Sequence, residues 1–139
     1  MKLLNAIFAI TVLSLASCDL AEELDEAIVD VSGRVSHDGN TVSGVIVILV
    51  EDAENLEGIT LANGSITDNS GRYIILAVDP GDYYVLGVDD RNGNLKYDPD
   101  TDRLGFHGVN PTDMDLVPDK ITVEDQDLEN IDITSLYSL

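Results

Sequence analysis

Residues 89–102 read Asp-Asp-Arg-Asn-Gly-Asn-Leu-Lys-Tyr-Asp-Pro-Asp-Thr-Asp, and hard oxygen donors recur in them at every second position. Counting Asp90 as the first, Asn92 falls third, Asn94 fifth, Lys96 seventh and Asp98 ninth. Calcium takes six to eight oxygen ligands, and a curled loop supplies them from alternate side chains with a backbone carbonyl at the seventh position. Asp90, Asn92, Asn94, the Lys96 carbonyl and Asp98 meet that spacing, and Asp102 stands near where a closing carboxylate belongs. A calcium site is therefore expected here. The competing expectation is a polar hairpin loop, because Asp and Asn also favour turns.

This stretch is similar to the Asp-x-Asn-x-Asn loops of dockerin-like and EF-hand-like sites, here set between strands. It departs from them at position six, where Leu95 replaces the glycine of the sharp turn, and at position twelve, where Thr101 replaces glutamate.

The second candidate is Cys18, the single cysteine of the chain. Met1-Lys2 supplies a positive start, residues 3–16 are almost wholly apolar, and Leu15-Ala16-Ser17-Cys18 ends the run. A spanning helix needs about 20 apolar residues, whereas a charged start, short apolar middle and small-residue exit describe a signal peptide. Leu-Ala-Ser-Cys resembles a bacterial lipobox, which implies cleavage before Cys18 and a diacylglycerol on its sulfur. Two acyl chains anchor stably where one does not. The thiol is then consumed, so no disulfide, nucleophilic cysteine or cysteine metal site is expected in the mature chain.

The chain of 139 residues carries 27 acidic and 7 basic side chains, a formal charge of −20. Loss of residues 1–17 removes Lys2, and six basic against 27 acidic groups leave −21. Nucleic acid is excluded as a partner, since phosphate binding needs a basic footprint. Anionic lipid repels such a domain, so membrane attachment is expected through the lipid on Cys18 alone. Residues 18–27 read as a lipidated cysteine and acidic tether, extended by self-repulsion. The acidic cluster resembles surface-export signals of some outer-membrane bacteria, while Asp19 directly after the cysteine resembles an inner-membrane retention signal of enterobacteria. The expected location is the bacterial cell envelope, with the outer membrane or cell surface favoured.

The elements that must position the loop lie in residues 28–139, a normal length for one domain. From Ile28 the apolar period is two, as in a half-buried strand. His37-Asp38-Gly39-Asn40 marks a turn, and Val45–Val50 is a β-branched run suited to a strand buried on both faces. A weaker strand is expected at 58–62. Turns at 67–71 and 79–82 lead into strands at 72–78 and 83–88, and weaker strands follow at 104–109, 120–123 and 130–136. The fold expected is all-β: a seven- to eight-stranded antiparallel Greek-key sandwich, preceded by a signal peptide.

The order Val31-Ser32-Gly33-Arg34-Val35, Gly44-Val45-Ile46-Val47, Thr67-Asp68-Asn69-Ser70-Gly71-Arg72-Tyr73 and Pro80-Gly81-Asp82-Tyr83-Tyr84-Val85 resembles carboxypeptidase regulatory-like domains. It is also similar to prealbumin-like and collagen-adhesin B-type sandwiches, most clearly over residues 28–90. The resemblance implies a non-catalytic module. The Lys–Asn cross-link of some adhesin domains is not expected, because the first strand offers Arg34 and the mature lysines are Lys96 and Lys120. Prealbumin-like hydrolases use a His/Arg cluster and a distinctive tail, whereas this chain has two histidines, His37 and His107, and ends Leu136-Tyr137-Ser138-Leu139. Neither histidine has a partner motif, and the strand tyrosines 73, 83 and 84 read as packing.

Three functions follow as expectations. The first is a non-enzymatic envelope lipoprotein, a calcium-stabilised module binding a protein or glycan partner. The second is an adhesin or fimbria-like subunit assembling through an edge strand. The third is a hydrolase of prealbumin-like type, with a histidine or second carboxylate beside the loop.

Overall fold

The computed structural model describes residues 28–139, so Cys18, the signal peptide and the tether lie outside the described residues. The domain is all-β, as the periodicity predicts, with strands β1 Val29–Arg34, β2 Ser36–His37, β3 Asn40–Thr41, β4 Ile46–Val50, β5 Ser65–Ile66, β6 Arg72–Val78, β7 Gly81–Asp89, β8 Arg103–Phe106 and β9 Lys120–Val123. All of their pairings are antiparallel. No helix of the described residues is long and apolar enough to cross a membrane.

β1 and β6 form one small sheet, and β5-β4-β7-β8 form the larger, with β9 also on β7. β7 is the axis of the larger sheet: β4 lies along one edge, while β8 and β9 share the other. The unbroken run Val45–Val50 has a direct structural cause. Val45 and Val47 join Val29, Val31, Val35, Tyr73 and Val85 in a core between the two sheets. Ile46 and Val50 point the other way, into a second core with Leu86, Val88, Leu104 and Phe106. That second face is covered by loops rather than strands, through Leu56, Leu61, Tyr97 and Val109. Each fully buried side chain of this size contributes about 1.5–3 kcal/mol.

Two of the expected strands differ. Residues 58–62 make only the single bridge Thr60↔Lys96, because their backbone groups bond to the 95–97 segment instead of a sheet. Residues 130–136 form no regular ladder. The chain from Leu128 runs parallel to β1, with bridges Val31↔Leu128 and Val35↔Ile133, turns through Asn130 at φ +60, and then crosses to β8 at Leu104↔Tyr137. This C-terminal strap ties both sheets together. Its close passage needs Gly33 and Gly105, where a Cβ would run into the Ile131 and Ser135 carbonyls.

The turn expected at 37–40 is present, and it closes a short β2–β3 hairpin with Asp38 and Gly39 both at positive φ between His37 and Asn40. Because β7 runs from the β6–β7 turn to Asp89, its nine residues set the 79–82 turn and the Asp90 loop about 27 Å apart.

Candidate metal centre

The loop begins where β7 ends and finishes where β8 starts, and its base is clamped. Asp89 faces Arg103 across the ladder, and the Asp89 carboxylate accepts from Arg103 Nη2 at 2.9 Å and Nε at 3.2 Å. Tyr97, 1% exposed, inserts its ring into the loop-covered core. Its backbone exchanges hydrogen bonds with Ile59 and Gly58, and Leu61 N–H donates to the Leu95 carbonyl at 2.9 Å. In this bridge the bonds fall on residues 95 and 97. Lys96 therefore turns its own N–H and C=O away from Thr60 and toward the loop, and its N–H meets Asn94 Oδ1 at 2.9 Å.

The alternate donors wind the backbone around themselves. Asp90 Oδ1 accepts from Gly93 N–H and Oδ2 from Leu95 N–H, both at 2.9 Å. Asn92 Oδ1 accepts from Asn94 N–H at 3.1 Å. The turn that a glycine makes elsewhere is made here by Leu95 itself, at φ +59, with Gly93 at φ +71. Leu95 thus departs from the EF-hand residue while keeping a left-handed backbone at position six.

Three of the expected side chains meet at one atom. Asn92 Nδ2 and Asn94 Nδ2 both donate to Asp98 Oδ2, at 2.7 and 2.6 Å. These bonds, Asn92's first, hold the Asp98 carboxyl below its ordinary pKa, with a smaller contribution from the Lys96 charge. Asp102 takes a different position. It is 1% exposed, and its carboxylate accepts from Arg91 N–H at 3.0 Å and Asp98 N–H at 2.9 Å, bracing the loop from beneath. Thr101 stands at position twelve in place of glutamate. Its Oγ1 nevertheless accepts from Asn92 Nδ2 at 3.1 Å and belongs to the cluster. Among the described residues no three His, Cys, Asp or Glu side chains gather as a metal site, so an ion here would need amide and carbonyl oxygens besides the carboxylates.

The histidines lie elsewhere, both against the C-terminal strap. His107 Nδ1 is 2.7 Å from the Asp132 carbonyl, and His37 Nδ1 accepts from Leu136 N–H at 3.2 Å. Neither touches the loop cluster.

No protein-family model matches the chain, and no curated protein matches it.

Proposed function

We propose that the protein is a non-enzymatic, lipid-anchored envelope module whose distal loop is ordered by calcium. The observation that carries this reading is the convergence of Asn92 and Asn94 on Asp98 Oδ2, inside a loop already wound by Asp90. A carbonyl or carboxylate oxygen has two lone pairs, so the oxygens that accept one amide each keep capacity for an ion. Asp90, Asn92, Asn94, the Lys96 carbonyl and Asp98 would hold it, with Asp102 fixing the backbone beneath. Turning over the Asn92 and Asn94 amides, which exchanges their Oδ1 bonds to Asn94 and Lys96 N–H for contacts with the ion, brings the set toward the six to eight ligands calcium prefers. The likeness to regulatory-like and adhesin sandwiches supports a binding module. Chain direction supports the arrangement: the described chain starts at Ile28, beside the 79–82 turn, and the Asp90 loop lies at the far end of β7.

Calcium at 100 times its Kd stabilises by about 2.7 kcal/mol, or on the order of 10 °C in Tm for a domain of this size. Melting in calcium and in chelator should differ by that margin, and Asp98→Ala should remove the difference. Coincident curves overturn the metal reading. Cys18→Ser should abolish incorporation of labelled fatty acid, and unchanged labelling overturns the anchor.

The edge-strand reading also has an observation in its favour. β6 pairs only with β1 among the described strands, and its outward Ile74 and Leu76 are 50% and 65% exposed. An unpaired edge with apolar outward residues is a pairing surface. Under this reading Ile74→Lys should dissolve an oligomer seen by crosslinking, and a monomer at all concentrations overturns it.

A further inference from the structure

A groove of about 800 Å³ opens on the loop-covered face of the larger sheet, its lining reaching Tyr97 and Pro99 on either side of Asp98. That is within the size range of built ligand sites. Tyr84, Phe106, Tyr97 and Tyr137 supply its aromatic walls, with Tyr84 and Phe106 edge-to-face at 6.4 Å. Glu51, Asp52, Glu54 and Glu57, all exposed, form an acidic rim along one segment. None of the four forms an ion pair among the described residues.

Two further features point to an occupant. Lys120 lies across the ladder from Tyr84, and its Nζ stands 5.1 Å from the ring centroid. The ring face is thus already a cation seat, of the kind that prefers ammonium and guanidinium groups. In addition, the Tyr97 hydroxyl is buried and has no hydrogen-bond partner. A buried hydroxyl left unpaired is costly, and a ligand group that bonds to it removes that cost.

We propose that this groove binds a lysine side chain carried on an apolar segment of a partner polypeptide, its ammonium seated on Tyr84 under the acidic rim in place of Lys120. The rim and the charge of −20 select a cation. The polypeptide source follows from the walls. A lone amine covers little of an 800 Å³ groove, whereas Leu116 and Leu139, 66% and 78% exposed, offer surface to flanking apolar residues.

The test uses the full-length protein in neutral detergent, with a fluorescent acetyl-Leu-Lys-Leu-Lys-Leu amide as probe. Its Nε-acetylated form and spermidine serve as comparisons. The lysine peptide should bind, the acetylated peptide should lose at least tenfold, and spermidine should be weaker than the peptide by a similar factor. Tyr97→Phe is the sharpest variant, because a hydroxyl without an internal partner can be removed while the fold stays intact. It should weaken the peptide about threefold to tenfold at unchanged Tm, the range of one hydrogen bond. Lys120→Met should tighten binding by vacating the seat, and Glu51→Gln with Glu54→Gln and Glu57→Gln should weaken it. Glu124→Gln with Asp125→Asn, outside the groove, should change nothing. Absence of peptide binding, equal loss from the Glu124 and rim variants, or spermidine binding as tightly as the peptide overturns the proposal.

Discussion

Leu95 donates its backbone N–H to the Asp90 carboxylate at 2.9 Å while standing at φ +59. The amide is aimed at Asp90 by the residues before it, and the left-handed φ turns the chain after it toward the bridge with Thr60. A residue with a Cβ held there costs about 1–2 kcal/mol, and Leu95 is 48% exposed, so little burial offsets it. Leu95→Gly should raise the melting temperature by a few degrees, the gain trimmed by the greater chain entropy of glycine. Differential scanning calorimetry in chelator measures this directly. A lowered Tm would mean that the Leu95 side chain contributes more by packing than its backbone costs.

Asp102 should be the more sensitive acid of the loop although it lies beneath the oxygen cluster. Its buried carboxylate accepts from the backbone amides of Arg91 and Asp98, and these two bonds join the ends of the loop. Hydrogen bonds to a charged acceptor contribute about 1.5–3 kcal/mol. Asp102→Ala should therefore cost about 3 kcal/mol in chelator, and Asp102→Asn, which keeps one acceptor, about half. Denaturant melts that place Asp102→Ala within 0.5 kcal/mol of the parent, roughly the spread of neutral surface changes, would contradict the bracing role.

The pH dependence has a definite sign. The Asp98 carboxyl is held low by the Asn92 and Asn94 amides, and the Asp68 carboxyl by the Arg72 and Ser70 hydrogen bonds. A carboxylate whose folded pKa is depressed contributes stability that is fully present above its unfolded value of about 3.9, and that is lost as pH falls through the folded value. Stability should therefore decline as pH is lowered below about 4. Carbon NMR titration should find both carboxyls ionising below the ordinary range. Asp98→Asn should flatten part of the acid limb, and an unchanged limb would show that Asp98 is not among its causes.

Legibility in the sequence followed local chemistry. Strict alternation located β1, the β-branched run located β4, and the turns at 67–71 and 79–82 located β6 and β7, whereas the turn at 37–40 did not reveal the short strands β2 and β3 beside it. The loop was legible too, because alternate donors on a winding backbone are a spacing property. What escaped was tertiary. Leu56, Leu61, Tyr97 and Val109 are single apolar residues in polar stretches, and only the fold shows that they jointly cover the second face of the sheet. Thr101 escaped because its place in the cluster depends on the loop closing under Asp102. The strap escaped because its partners are nearly a hundred residues away in sequence, as in the bond from Arg34 N–H to the Asp132 carboxylate.

That strap supplies the last prediction. Gly33 and Tyr73 stand directly opposite in the β1–β6 ladder. The Ile131 carbonyl approaches Gly33 where a side chain would sit, and it accepts the Tyr73 hydroxyl at 2.5 Å. Burial, with the Asp132 charge adding to it, pushes the Tyr73 phenol well above its ordinary pKa, which keeps the donor protonated. Gly33→Ala should force the strap off β1, because the obstacle is backbone and cannot rotate aside. The expected cost is at least about 2 kcal/mol, in the range of overpacking, against about 1 kcal/mol for Tyr73→Phe, which loses one hydrogen bond. Amide exchange distinguishes this from general destabilisation. In Gly33→Ala the amides of Ile131 and Ile133, which bond to Ser32 and Arg34, should lose protection well before those of the β4–β7 ladder. Uniform loss across both sheets would mean that the strap and the sandwich unfold as one unit.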